Sequence, residues 1–168
     1  EGTANTLQEV LQKAGIEDSE VIAVEPTIAE NIARIVTNPI VVPILLSIAS
    51  LGLVLELYSP GFGIPGAMSL SAFGLFFFGH TIAGFAGYET IIIFVIGLIM
   101  LLLEFFVPGG IVGIIGGALI IISLLFASAS VTQMAYSIII AMFIAVIGMV
   151  ILMKFFGKVF FIEEIIFI

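Results

Sequence analysis

The chain contains no cysteine and only one histidine, His80, among its 168 residues. The missing cysteines exclude disulfide bonds, thiolate zinc sites and thiol catalysis, and a single histidine excludes a metal site with several histidine ligands. Basic residues are also scarce, at 4 Lys and Arg against 12 Asp and Glu, for a net charge of −8. Nucleic-acid binding needs a basic surface, so that class is excluded too. We expect no cofactor and no metal.

Charged residues make up only 10% of the chain, whereas 62% of it is hydrophobic and the mean hydropathy is +1.40. An ordinary soluble domain is about half apolar and about a quarter charged. A globule of this length could not hide so much apolar surface from water. The composition therefore predicts an integral membrane protein.

Acidic side chains are concentrated in residues 1–37, a polar head that precedes the apolar part of the chain. The pattern there predicts a short helix that ends at Gly15 and a strand over 21–24. A capping box formed by Thr27 and Glu30 then opens a second helix. These elements make no core of their own, so we expect a small α/β fragment from the C-terminal edge of a larger domain. No basic signal-peptide start is visible, and we expect a longer precursor.

Five apolar runs follow the head, and each approaches the length that an α-helix needs to cross a bilayer. The runs cover residues 39–57, 67–88, 91–107, 113–129 and 134–153. The sequence therefore predicts an all-α polytopic membrane protein whose transmembrane domain occupies residues 38–158. Residues 159–168 are left as a tail without a defined role.

A short motif occurs twice in the membrane domain, first over residues 55–61 and again over 103–109. Both copies have the pattern Leu-Glu-x-x-x-Pro-Gly, at an offset of 48 between Glu56 and Glu104. Two spans separate the copies, so both turns face the same side of the membrane. The motif indicates a parallel repeat of helical hairpins, unlike the inverted repeats of many transporters.

The orientation depends on Lys154 and Lys158, which flank the last predicted span. The positive-inside rule places this end in the cytoplasm. Five spans put the two termini on opposite sides, so the acidic head is predicted to be extracytoplasmic. The two Pro-Gly turns are then inside, and the turns at 89–90 and 130–133 are outside. The predicted location is the cell membrane, with several passes.

Glu56 and Glu104 lie near the ends of apolar spans, where an unpaired carboxylate is costly, at ~2.5–3.5 kcal/mol near the bilayer centre. One interpretation is a proton or ion relay built from the two carboxylates. The other is a structural cap, in which each carboxylate accepts from the free N–H groups of the turn and helix that follow. We favour the cap, because Lys or Arg partners are absent nearby and both glutamates precede turns in the same way.

Small residues recur at four-residue spacing in two places and predict close helix packing. The two ridges consist of Gly79, Ala83 and Gly87, and of Gly109, Gly113 and Gly117. Packing within one bundle is favoured over a subunit interface for both. His80 is predicted to be a neutral packing residue in an apolar helix. The serines lack GxSxG or serine-lysine spacing, so we expect no catalytic residue in this chain.

The order of a helix-strand-helix head, a Thr-Asn-Pro junction and a glutamate followed by a Pro- and Gly-rich turn resembles the long form of the NfeD family. The first turn matches the family's motif closely at Glu56, Pro60, Gly61, Gly63, Pro65 and Gly66. The second matches it more loosely at Glu104, Pro108 and Gly109. The resemblance implies an outer ClpP-like serine protease domain, of which residues 1–37 are the tail, and a membrane domain over 38–158.

The same resemblance implies a partner and a role. Family members act with flotillin- or stomatin-like scaffold proteins, so we expect a membrane anchor and docking module that works as an oligomer. The protease nucleophile would lie upstream of Glu1, and the family's small cytoplasmic OB-fold is missing from this sequence. An alternative from another class is a channel or transporter subunit with a polar path through Glu56, Glu104 and His80.

Overall fold

The computed structural model describes residues 6–15, 25–58, 63–107 and 109–166, and over 156–166 it describes the backbone alone. Within these ranges every regular element is an α-helix, which confirms the predicted all-α class. The predicted strand over 21–24 lies outside the described residues. The helices are α1 (Leu7–Ala14), α2 (Ile28–Val36), α3 (Val41–Tyr58), α4 (Ile64–Ile82), α5 (Tyr88–Leu103), α6 (Ile111–Phe126) and α7 (Val131–Ile166).

Side-chain caps set the ends of the two helices in the head. The Thr6 side chain accepts from the N–H of Glu9, and Gly15 closes α1 in the left-handed region at φ 71°. At the start of α2, Thr27 and Glu30 bond each other's backbone N–H groups reciprocally. The predicted capping box and the glycine stop are both confirmed, because these signals depend only on neighbouring residues.

Helices α3 to α7 correspond to the five predicted spans, but their lengths differ. Among the described residues, α3 and the Val131–Phe155 part of α7 are long and apolar enough to cross a membrane. Helices α5 and α6 are equally apolar but have 16 residues each. That length is roughly 24 Å, short of a hydrocarbon core of about 30 Å. The α5–α6 hairpin is therefore the shorter of the two hairpins, since α3 and α4 have 18 and 19 residues.

Most helix boundaries differ from the predicted runs by a few residues, and two of the differences have identifiable reasons. Helix α4 begins at Ile64 instead of residue 67, because Pro65 lies in its first turn, where a missing N–H costs nothing. Helix α5 ends at Leu103 instead of residue 107, because Glu104 and the residues after it turn toward the next helix. Helix α7 continues past the predicted end of its span to Ile166.

The helices pack as two antiparallel hairpins with α2 and α7 on the first. Helix α3 packs on α4 and α7, α2 lies across α4, and α5 packs chiefly on α6. An aromatic cluster joins the hairpins, with the ring centroid of Phe94 at 4.7 Å from Phe73 and 4.9 Å from Phe77. These tilted rings give α4 and α5 a shared core.

Glycines allow the closest approaches between helices. A Cβ atom on Gly97 would lie 2.8 Å from the carbonyl oxygen of Gly116, and one on Gly116 would lie 2.7 Å from that of Gly97. A Cβ on Gly52 would lie 2.6 Å from the carbonyl oxygen of Pro65. Each hairpin therefore depends on glycine where its two backbones meet.

Candidate functional site

The first glutamate of the repeat closes the α3–α4 turn from the side of α3. Both carboxylate oxygens of Glu56 accept from the N–H of Gly63 at 3.2 Å, and Oε2 also accepts from the N–H of Gly66 at 2.9 Å. Gly63 is the N-cap residue of α4 and has no side chain that could serve as a cap. Glu56 therefore supplies the acceptor that the first turn of α4 lacks.

The second glutamate does the same for α6. The Glu104 carboxylate accepts from the N–H groups of Gly109 at 3.0 Å, of Gly110, and of Gly113 at 2.8 Å. Gly110 is the N-cap of α6, in the left-handed region at φ 77°. Glu104 lies just past the end of α5, and the bonds from Gly109, Gly110 and Gly113 hold the pKa of its carboxyl below the usual range.

Glycine allows each carboxylate to come close to the first turn of its helix. A Cβ atom on Gly66 would lie 2.7 Å from Oε2 of Glu56, and one on Gly113 would lie 3.1 Å from Cγ of Glu104. The two turns differ in length, because the donor in the helix follows the glutamate by ten residues in the first and by nine in the second. The shared sequence motif thus forms the same cap in both turns, although the turns differ in length by one residue.

The remaining motif residues take different places. Pro65 lies in the first turn of α4, and Gly109 donates to Glu104 as described above. Pro60, Gly61 and Pro108 lie outside the described residues.

In the first ridge of small residues, Gly79 packs against another helix. Gly79 lies against Val36 of α2 so closely that an added Cβ would collide with Cγ2 of that side chain. Ala83 is the C-cap of α4, and Gly87 is the N-cap of α5.

The second ridge meets Glu104 at Gly113 but has open space at Gly117. An added Cβ on Gly117 would meet nothing within 4 Å, whereas Gly116, its neighbour, touches α5. Sequence reasoning missed Gly116 and its counterpart Gly97. A Gly-x-x-x-Gly spacing fixes a stripe on a helix, but the adjacent glycines 116 and 117 belong to different stripes, and spacing alone does not decide between them.

His80 is buried at the other end of α4, with 2% of its surface exposed. Its Nδ1 lies 2.8 Å from the carbonyl oxygen of Phe76, and the two rings stack with centroids 4.0 Å apart. A carbonyl only accepts, so Nδ1 carries the hydrogen. His80 follows the first residue of α4 by sixteen positions, roughly 24 Å along a helix, so it is far from Glu56.

Buried phenylalanines separate the glutamate-capped turns from His80 along α4. The interior of α4 between them carries Phe73, Phe76 and Phe77, all of them buried. No group of three His, Cys, Asp or Glu residues in the described ranges could hold a metal ion.

Two hairpins of apolar helices, each closed by a glutamate that accepts from glycine N–H groups, define an integral membrane domain. Residues 40–154 match the family model of the NfeD integral membrane domain. The chain therefore belongs to the NfeD family, as its motifs predicted.

One curated relative is the membrane protein NfeD1b of Bacillus subtilis (strain 168). It is 48% identical over 158 residues, which cover 94% of this chain and 36% of the relative. The chain thus spans about a third of the length of that protein. No solved structure matches. Membership of this family supports the predicted location in a membrane.

Proposed function

We propose that this chain is a membrane anchor and docking module. In this proposal it links an outer ClpP-like serine protease domain to a flotillin- or stomatin-like scaffold in the same membrane, and it works as an oligomer. The family match carries the membrane part of the proposal, since residues 40–154 are a membrane domain of known type. The protease and the scaffold come from the family resemblance.

The contact between α2 and α4 supports the anchoring role. Val36 of α2 lies against Gly79 of α4, and the two helices pack on each other. A domain that precedes α2 would therefore be attached to the membrane block through a packed helix. A head that is fixed in this way keeps a defined height and orientation over the membrane surface.

The surface of α7 supports the docking role. Only 6% of its most apolar stretch is buried, against 33% for α3. Large apolar side chains are exposed along it, including Phe143, Val146, Ile147 and Ile151. A helix with so little internal contact offers a continuous apolar face for lipid and for a membrane segment of a scaffold. We assign the scaffold contact to this face.

Co-purification with the scaffold tests the docking role. The full-length protein carrying Val146→Trp should lose the scaffold after detergent extraction, because the indole would interrupt the α7 face. Ile99→Trp is the matched control, since Ile99 is also an exposed apolar residue but lies on α5. Equal recovery of the scaffold with both variants would contradict the assignment to α7. Proton or ion flux in liposomes that Glu56→Gln abolishes would instead favour a channel.

Labelling of introduced cysteines tests the proposed orientation, and the chain has no native cysteine that would interfere. Glu89→Cys should react with an impermeant maleimide added from outside, whereas Ser59→Cys should be protected until the membrane is opened. The reverse pattern would place the Pro-Gly turns outside and the acidic head inside.

A further inference from the structure

A polar pocket lies at the end of the bundle opposite the two glutamate-capped turns. Its lining comes from three stretches of chain. They are the α2–α3 junction, the end of α4 with the turn after it, and the α6–α7 turn with the first turns of α7. The polar side chains among its walls are Thr37, His80, Ser128, Ser130, Gln133 and Ser137. Other buried polar side chains, such as Ser47, Ser69 and Ser123, lie apart from this pocket, whereas six polar side chains converge here.

The hydroxyl groups of Thr37, Ser128 and Ser137 donate their hydrogens to backbone carbonyls. Thr37 donates to Ala33 at 2.7 Å and Ser137 donates to Gln133 at 3.1 Å. Ser128 lies 3.1 Å from the carbonyl oxygens of both Leu125 and Ser130. A hydroxyl has one hydrogen and two lone pairs, so these three oxygens face the pocket as acceptors.

His80 adds a fourth acceptor. Because Nδ1 donates to Phe76, the neutral ring keeps its lone pair on Nε2, and no described residue bonds that atom. Only Ser130 and Gln133, both exposed at the rim, retain side-chain hydrogens that could be donated. The pocket therefore offers several acceptors and few donors, so it suits a ligand group with several donors.

Charge favours a cation over an anion at this place. None of the described lining residues is an Asp, Glu, Lys or Arg. The C-terminal ends of α2, α4 and α6 contribute to the lining, and helix C-termini carry partial negative charge. The N-termini of α3, α5 and α7 reach the same end. Asn38 and Ser130 accept from amides in the first turns of α3 and α7, and α5 contributes no residue to the lining. The whole chain is also net negative, at −8.

We propose that this pocket binds a primary ammonium group, the ethanolamine headgroup of a phospholipid in the leaflet at this end of the bundle. An ammonium has three N–H donors in a compact head, which matches Nε2 of His80 and the hydroxyl oxygens of Thr37, Ser128 and Ser137. Headgroups lie where transmembrane helices end, so the pocket is at the depth of a headgroup. The ligand could also be free ethanolamine, which has the same chemistry.

The experiment compares lipids that differ only in the number of N–H donors. The intact protein is placed in nanodiscs of phosphatidylglycerol that contain a small fraction of phosphatidylethanolamine, its N-methylated forms or phosphatidylcholine, and retained lipid is counted by native mass spectrometry. Retention should fall with each added methyl group and vanish for phosphatidylcholine. Equal retention of phosphatidylethanolamine and phosphatidylcholine would overturn the proposal.

Two variants locate the site. Ser137→Ala removes one acceptor, and His80→Phe removes another while keeping a ring that can stack on Phe76. Each should weaken retention of phosphatidylethanolamine by roughly tenfold to a hundredfold, the equivalent of one hydrogen bond to a charged group. Ser50→Ala is the control, since Ser50 also donates to a backbone carbonyl but lies outside this pocket. Selective retention that both variants leave unchanged would overturn the assignment to this pocket.

Free ethanolamine added to the same samples separates the two sources. Displacement of the lipid at millimolar ethanolamine, lost in Ser137→Ala, would show that the ammonium head alone is sufficient. Lipid retention that free ethanolamine does not affect would assign the site to the membrane lipid. A pocket that retains neither molecule, and so holds water only, would contradict the proposal.

Discussion

The two hairpins carry the same cap but have different surroundings. The α3–α4 hairpin is supported by α7 on one side and α2 on the other, whereas α5 and α6 pack chiefly on each other. In both, a glutamate at the end of the first helix accepts from glycine N–H groups that open the second. The cap therefore depends on local sequence, because it forms in both hairpins although their neighbouring helices differ.

The two hairpins differ in the positions at which their helices make the closest contact. Gly97 and Gly116 bring the backbones of α5 and α6 together, and the position of Gly97 in the repeat is taken in α3 by Ala49, which is fully buried. In α3 the closest approach moves to Gly52. A bond from the Ser123 hydroxyl to the Thr90 carbonyl at 2.6 Å further ties α6 to α5. The second hairpin thus depends more on its own internal fit.

The largest loss of stability is expected from placing a side chain at the contact between α5 and α6. Gly116→Leu should destabilise the protein near the upper end of the about 1–3 kcal/mol range for overpacking, because its Cβ would press on backbone atoms of α5 that cannot move aside. Gly117→Leu on the same helix should change stability by less than about 0.5 kcal/mol, since nothing lies within 4 Å. Thermal unfolding in detergent measures both. Equal losses for the two variants would mean that α5 does not contact this stripe.

A smaller loss is expected from removing the cap of the supported hairpin. Glu56→Ala leaves the N–H groups of Gly63 and Gly66 without their acceptor and should cost about 1–3 kcal/mol. Glu56→Gln keeps an acceptor oxygen and should cost about 1 kcal/mol or less. The same unfolding assay decides between cap and charge. Equal losses for Gln and Ala would show that the charge of Glu56 is what matters.

Hydrogen exchange in Glu104 variants tests whether the caps of the two hairpins are independent. Glu104→Ala should speed exchange at the amides of Gly110 and Gly113 and leave that of Gly66 unchanged, because each cap serves its own hairpin. Glu104→Gln should preserve more of the protection. Faster exchange at Gly66 in the Glu104 variants would mean that the two turns are coupled.

The smallest change in stability is expected from lowering the pH, through protonation of Glu104. Three backbone N–H donors lower the pKa of Glu104 in the folded state, so its stabilising contribution is present above the usual glutamate pKa. That contribution should be lost as the pH falls through the lowered value. The difference in unfolding temperature between the wild type and Glu104→Gln should therefore shrink as the pH falls through and below the ordinary range of a glutamate pKa. A difference independent of pH would contradict a charged cap.

Much of the architecture was predictable because its signals are local. The Thr27–Glu30 box, the Gly15 stop and the glutamates before the Pro-Gly turns all act on residues within about ten positions. The stripe of α6 that meets α5 was not predictable, because a continuous apolar helix shows no polar face that would fix its rotation. The acceptor-rich pocket was not predictable for another reason, since its walls come from three stretches that are distant in the sequence.

The contact of Val36 with Gly79 couples α2 mechanically to the last turn of α4. Because packed interiors transmit strain, a force that displaces α2 sideways bears directly on the last turn of α4. Thr37 and His80, which lie at the ends of these two helices, border the same pocket. A displacement of α2 would therefore change the spacing of that pocket's walls.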